Sequence, residues 1–190
     1  MPKDWSSYKE RGYLSKELLN KRITFYTTLF EKFSIDTHNQ TAIEVGAGHG
    51  RMTEVFFNLF KNYTAIEPDK TLFNELKILQ KKYTEMKILN CSCETIPLDG
   101  QLSFIIFAYS FLFTNFEKCK KIIDNLLKKN GHLLILLPGK FFKFSDNFNS
   151  DKHINYRKKI INTIHFLLNM ENYETIYING MYDILIKKLF

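Results

Sequence analysis

The segment Ile43-Glu44-Val45-Gly46-Ala47-Gly48-His49-Gly50-Arg51-Met52-Thr53 constrains this chain more than any other. A short β-prone run, Thr41–Val45, stops on a glycine. Two more glycines follow at alternate positions, and apolar residues then recur at helical spacing from about Gly50 to Lys61. Glycines at such a turn tolerate positive φ and let backbone approach a ligand without a side chain in the way. In an open α/β sheet, a strand–turn–helix of this kind lies at the carboxyl end of a strand, where such sheets bind ligands.

The rest of the chain repeats the alternation. Tyr63–Glu67 is a second short strand, and Pro68-Asp69 opens a helix to about Lys82. Met86–Leu89 is a third strand, and Leu102–Tyr109 is nearly all apolar, as a strand buried on both faces should be. Thr114 or Asn115 caps a helix through Lys129, ended by Asn130-Gly131; His132–Leu137 is a fifth strand, stopped by Pro138-Gly139. Ile154–Met170 is helical, and Glu174–Ile178 and Tyr182–Ile186 form a hairpin across Asn179-Gly180. The stretch Asn90–Gln101 is too short for a full crossover helix, so a loop or a single helical turn is expected there. Ahead of all this, Leu14–Phe33 carries apolar residues at helical spacing behind a Ser15 cap.

Strands alternating with helices imply parallel βαβ units. The expected fold is α/β: a seven-stranded, mostly parallel sheet with helices on both faces and a C-terminal antiparallel hairpin. One domain over 1–190 is expected, with 1–35 as an N-terminal helical cap and 36–190 as a Rossmann-like core.

Glycine spacing narrows the ligand. Dinucleotide enzymes use Gly-x-Gly-x-x-Gly, with a pyrophosphate on the helix N-terminus. Here the spacing is Gly-x-Gly-x-Gly, and Arg51 occupies the place of the third dinucleotide glycine. Glu44, two residues before the turn, would repel a pyrophosphate and suits a ligand that carries an ammonium group.

This combination resembles motif I of the class I S-adenosylmethionine-dependent methyltransferases, E/D-x-G-x-G-x-G. Glu67, at the end of the second strand, stands where the family carries an acid for the ribose hydroxyls, and Pro68 follows where it would pack on adenine. The segment Cys91-Ser92-Cys93-Glu94-Thr95-Ile96-Pro97 is similar to the family's G-D-A-E-x-L-P. By that match Ser92 replaces the adenine-binding Asp, and the Cys93 N–H faces an adenine nitrogen. Ile105 stands in place of the Asp of the family's Phe-Asp pair, and Leu127–Ile135 is similar to its L-k-p-G-G-x-l strand entry. The resemblance runs from about Thr41 to Pro138. It implies S-adenosylmethionine as cofactor, no metal, and a cofactor set of Glu44, Gly46, Ala47, Gly48, Gly50, Glu67, Pro68, Ser92, Cys93 and Tyr109.

The acceptor is less constrained. After the fourth strand, Ala108-Tyr109-Ser110-Phe111 replaces both the N/D/S-P-P-Y/F tetrad of amino methylases and the N-L-P-Y type of rRNA adenine dimethylases. Tyr109 and nearby Phe residues would face a sulfonium by cation–π contact. Phe141, Phe142, Phe144 and Phe148 fall in Lys140–Tyr156, the expected lid, while Trp5, Tyr8 and Tyr13 either close over the cofactor or cap the core. His132, Asp151 and His153 are candidate bases by location alone. The first expectation is a small-molecule acceptor. The alternatives are an RNA or protein methyltransferase, which the net charge of +7 favours, and a non-catalytic cofactor-binding or activator subunit, kept open by Ser92 and Ile105.

Three cysteines, Cys91, Cys93 and Cys119, argue against a disulfide framework. Cys91-x-Cys93 lacks the second pair that a zinc site needs. No apolar run approaches the ~18 residues of a membrane span. A cytoplasmic protein without membrane attachment is expected.

Overall fold

The computed structural model describes residues 13–97, 100–137, 151–179 and 183–190. Its elements are α1 (Lys16–Lys32), β1 (Thr41–Val45), α2 (Thr53–Phe57), β2 (Asn62–Ile66), α3 (Lys70–Lys82) and β3 (Lys87–Leu89), followed by β4 (Leu102–Ala108), α4 (Phe116–Leu126), β5 (Leu127–Leu136), α5 (Asp151–Leu168), β6 (Tyr173–Asn179) and β7 (Asp183–Lys188). Short 3-10 turns occupy Cys93–Thr95 and Phe111–Phe113. The first of them fills the short link between β3 and β4, as its length required. The seven strands follow the order β3-β2-β1-β4-β5-β7-β6 in one mixed sheet. The chain divides into two compact units, Met1–Ser92 and Cys93–Phe190.

In the first unit, β1 and β2 run parallel with Glu44 opposite Ala65 and Val45 opposite Ile66, and β2 runs parallel to β3 with Ile66 opposite Leu89. Ser15 caps α1 by accepting the Leu18 N–H at 3.3 Å, and Asp69 caps α3 by accepting the Thr71 and Leu72 N–H groups. Tyr26 and Phe30 of α1 are buried; Tyr26 packs on Phe56, and Phe30 on Phe60.

The helix expected from Gly50 to Lys61 shrinks to α2. Gly50 has φ +94°, outside helical backbone, so the helix starts only beyond it. At the other end the Asn58 amide donates to the Glu54 carbonyl at 2.6 Å, closing the last turn, and Phe60 turns inward onto Tyr63.

In the second unit, β4 and β5 are parallel, and β7 is antiparallel to both β5 and β6. The closing pair therefore forms as expected, with β7 on the inside: Ile184, Leu185 and Ile186 are fully buried. Each such side chain contributes about 1.5–3 kcal/mol relative to exposure. The turn at 180–182 lies outside the described residues.

The helix expected through Lys129 ends at Leu126, because Leu127 is extended (φ −81°, ψ 122°) and buried opposite Leu102 in β5. Asn130-Gly131, expected to end that helix, instead lies in an irregularity inside β5, with Asn130 at φ +60°: Leu102 pairs with Leu127 and Phe104 already with His132. Lys188 Nζ, from β7, donates to the Asp124 carbonyl at 2.6 Å and the Leu127 carbonyl at 2.7 Å. A cation there satisfies carbonyls that the helix end leaves open. Lys188→Met is expected to lower stability by about 1–2 kcal/mol, read from the midpoint of a urea unfolding curve at unchanged slope.

Candidate functional site: the glycine turn and its carboxylates

The turn after β1 is built from backbone hydrogen bonds to the end of β2. Gly46 and Ala47 N–H both donate to the Ile66 carbonyl at 2.9 Å, and the Glu67 N–H donates to the Leu89 carbonyl at 3.0 Å. The glycines at 46, 48 and 50 all have positive φ. Gly48 and Gly50 are needed for different reasons. A Cβ at Gly48 would meet nothing within 4 Å, so that position faces open space. A Cβ at Gly50 would come within 2.6 Å of Leu79 Cδ2 and 3.0 Å of Leu76 Cδ1, so glycine there lets α3 pack under the turn.

Glu67 is held beside this turn. Its Oε2 accepts the Gly48 N–H at 2.7 Å and its Oε1 accepts the Asp69 N–H at 2.8 Å. Each carboxylate oxygen has two acceptor positions, so both retain one for a ligand hydroxyl. Burial raises the Glu67 carboxyl above its ordinary range, and the two backbone N–H groups pull it back down. Asn90, just past β3, donates its amide to the Glu67 carbonyl at 2.7 Å and the Pro68 carbonyl at 3.2 Å. The sequence reading passed over Asn90; its signal is an amide side chain directly after a strand that pairs with β2. Pro68 itself is exposed.

Glu44 is enclosed. Its residue is 0% exposed, and Oε2 accepts from Thr53 Oγ1 at 2.5 Å and from the Tyr63 hydroxyl at 2.9 Å. Oε1 is buried with no hydrogen-bond partner. No cation pairs with Glu44 among the described residues. Desolvation raises its carboxyl to about 7; the Thr53 and Tyr63 hydroxyls oppose that, and the Glu67 charge adds to it. Thr53 and Tyr63 are two further residues that sequence reasoning missed. Only their position, just inside the next helix and the next strand, could have drawn attention to them. In this conformation Glu44 offers no surface to a ligand.

Elsewhere in the first unit, Tyr13 sets its ring edge-on to His49 of the turn at 5.5 Å. Trp5 and Tyr8 lie outside the described residues. Ser92 is half-buried.

The second unit holds the remaining candidates. Cys93 is buried in its 3-10 turn and hydrogen-bonds the Cys119 thiol, which together with Thr114 lowers the Cys119 pKa. Tyr109 follows β4 directly with φ +67°, a left-handed backbone that bulky residues rarely adopt, and its N–H donates to the Leu136 carbonyl at 3.0 Å. Ile105 is a core residue of β4. His132 stacks on Phe104 at 5.0 Å; burial, then Lys187 and Lys128, depress it to about 4, so it stays neutral near pH 7. Of the expected lid at 140–156, residues 140–150 lie outside the described residues and 151–156 belong to α5, where the side chains of Asp151 and His153 are likewise outside the described residues. Among the described residues no His/Cys/Asp/Glu group has metal-site geometry, and no helix is long and apolar enough to cross a membrane.

Residues 10–93 match the family model of ribosomal RNA adenine dimethylases, a span that holds the glycine turn, Glu67 and the 3-10 turn's first residue. No curated protein matches the chain. Solved structures with the same fold include a candidate S-adenosylmethionine-dependent methyltransferase from Methanococcus maripaludis, 20% identical over 88% of this chain and 84% of that one, with TM-score 0.67. A candidate caffeoyl-CoA O-methyltransferase from Staphylococcus aureus is 16% identical over 98% of this chain and 89% of that one, with TM-score 0.71. A candidate methyltransferase from Streptococcus mutans, in complex with S-adenosylhomocysteine, is 16% identical over 86% of this chain and 97% of that one, with TM-score 0.57.

A buried carboxyl raised in the folded state makes stability fall as pH rises. The unfolded chain loses this proton near the ordinary value of 4.5, the folded chain only near 7, so folding is penalised progressively between those two values and by a constant amount above them. The penalty for Glu44 is about 3 kcal/mol. Glu44→Gln, which keeps the shape and cannot ionise, is expected to gain on the unmutated protein by that amount between about pH 4.5 and pH 7, measured by denaturant unfolding across the window.

Proposed function

We propose that this chain is a class I S-adenosylmethionine-dependent methyltransferase that transfers the methyl group to RNA. The observation that carries this acceptor is the match of residues 10–93 to the ribosomal RNA adenine dimethylase family. The net charge of +7 is in keeping with a polyanionic acceptor. A small-molecule acceptor is the second reading. It is favoured by Ala108-Tyr109-Ser110-Phe111, which departs from the tetrad of the adenine dimethylases just beyond the matched span.

The residues of the turn fit the cofactor. Gly48 leaves open space where any side chain would stand, and Glu67 is oriented there with acceptor capacity to spare. In this reading Gly46, Ala47, Gly48 and Gly50 let the turn approach the ligand, Glu67 accepts from the ribose hydroxyls, and Pro68 packs on the base. Glu44, enclosed beside Thr53 and Tyr63, makes no direct contact with the ligand in this reading. Ser92 and Cys93, carried over from the sequence resemblance, and Tyr109, by its place after the fourth strand, are further proposed cofactor contacts, with the whole of 1–190 acting as one domain. When bound, the cofactor supplies a methyl group already activated by its sulfonium. The protein's part is then to orient the acceptor and exclude water, which by positioning alone lowers a barrier by several kcal/mol. A general base is not obligatory, and His132, neutral near pH 7, is not assigned that role.

Two measurements test this. Calorimetric titration with S-adenosylmethionine should show binding that weakens about tenfold or more in Glu67→Ala, since a charged acceptor's hydrogen bond is worth about 1.5–3 kcal/mol; binding of NAD in its place would overturn the cofactor assignment. With methyl-labelled cofactor and total cellular RNA, label should appear in a fraction destroyed by ribonuclease. Label found only in ribonuclease-resistant small molecules would replace the RNA reading with the second one.

A further inference from the structure

Glu44 is fully buried, without a cation, and its two oxygens are treated unequally: Oε2 receives two hydroxyl donors and Oε1 none. Neither protonation state is well served. The carboxylate has no counter-charge, and the carboxylic acid has no acceptor for its proton on Oε1. Such a group is decided by whatever charge arrives nearby, because low-dielectric surroundings carry that charge's field further than water does. Glu44 sits two residues from the glycine turn, at the end of the strand that leads into it.

We propose that Glu44 senses the charge of the ligand in the glycine turn: it gives up its proton when a cationic ligand binds and takes one back when that charge is gone. This rests on the cofactor reading above. S-adenosylmethionine and S-adenosylhomocysteine share their amino, carboxylate and adenosine groups. They differ by one methyl group and the positive charge on sulfur. An ionised Glu44 therefore favours the methyl donor over the spent product, and a protonated Glu44 favours neither. The groups that face Glu44 are Thr53 from α2, Tyr63 from β2 and Glu67 beyond β2. Glu67 is the charge that opposes ionisation, so a ligand cation near the turn offsets its effect on Glu44. Ionisation of a carboxyl raised to about 7 falls in the range where cells operate, so the preference is adjustable.

The experiment is the ratio of dissociation constants for the two ligands, measured by calorimetry from about pH 6 to about pH 8 on the native protein and on Glu44→Gln. The ratio should shift toward the methyl donor by about fivefold or more as pH rises in the native protein, and stay flat in the variant. Tyr63→Phe removes one donor from the ionised carboxylate, and should move the midpoint of the shift to higher pH. It serves also if Glu44→Gln fails to fold. A ratio independent of pH, with both ligands bound, overturns this inference and leaves the cofactor reading intact. A pH shift that survives in Glu44→Gln removes Glu44 from the effect. Failure of the folded protein to bind either ligand overturns the cofactor reading and this inference with it.

Discussion

The Ile66 carbonyl holds the first unit's functional end together. It accepts from both Gly46 and Ala47, and so fixes where the chain leaves β1. Only with that exit fixed does the Gly48 N–H meet Glu67, and only then is Glu67 kept from turning toward solvent. Asn90 adds a third strand's end to the arrangement by gripping the carbonyls of residues 67 and 68. Three parallel strands are thus tied at their carboxyl ends by polar groups. Parallel pairing alone supplies no such bonds beyond the last ladder rung.

The same region contains three buried carboxylates, and each is accommodated differently. Glu54 meets Lys82 at 2.6 Å and the Tyr83 hydroxyl at 2.8 Å, a pair in which Lys82 itself reaches solvent. Glu67 relies on two backbone N–H groups. Glu44 has only hydroxyls, the weakest of the three solutions for a charge. Burial alone would make all three costly. What separates them is the kind of donor, and that difference singles out Glu44 as the one whose proton is loosely decided.

Much of the fold was legible because its signals are local. The alternation of β-prone runs and helical patterns, the caps at Ser15, Asp69 and Asn115, and the apolar run of β4 each depend on a few adjacent residues. The helix boundaries that moved depend on distant partners. Leu127 leaves α4 for a place beside Leu102, and Lys188, sixty-one residues on from Leu127, meets the carbonyls left behind. In the site, Glu44, Glu67 and the glycines stood out because acid and glycine at fixed spacing are a local pattern. Thr53, Tyr63 and Asn90 did not, since a hydroxyl or amide shows its purpose only when the fold brings a carboxylate or carbonyl to it. Nor could the sequence indicate that Glu44 would be enclosed rather than exposed to a ligand.

β7 lies between β5 and β6 in the sheet although it follows both in the chain. A chain emerging from synthesis therefore makes β6 before the strand it pairs with exists. Until residues 183–188 arrive, β6 has no partner for its backbone, and the apolar side of β5 that Ile184 and Ile186 will line stays uncovered. Unpaired strand edges and bare apolar surface are what lead partly folded chains to aggregate. For this half of the molecule, the edge of β5 therefore waits longest, from the making of Leu136 to the making of Asp183.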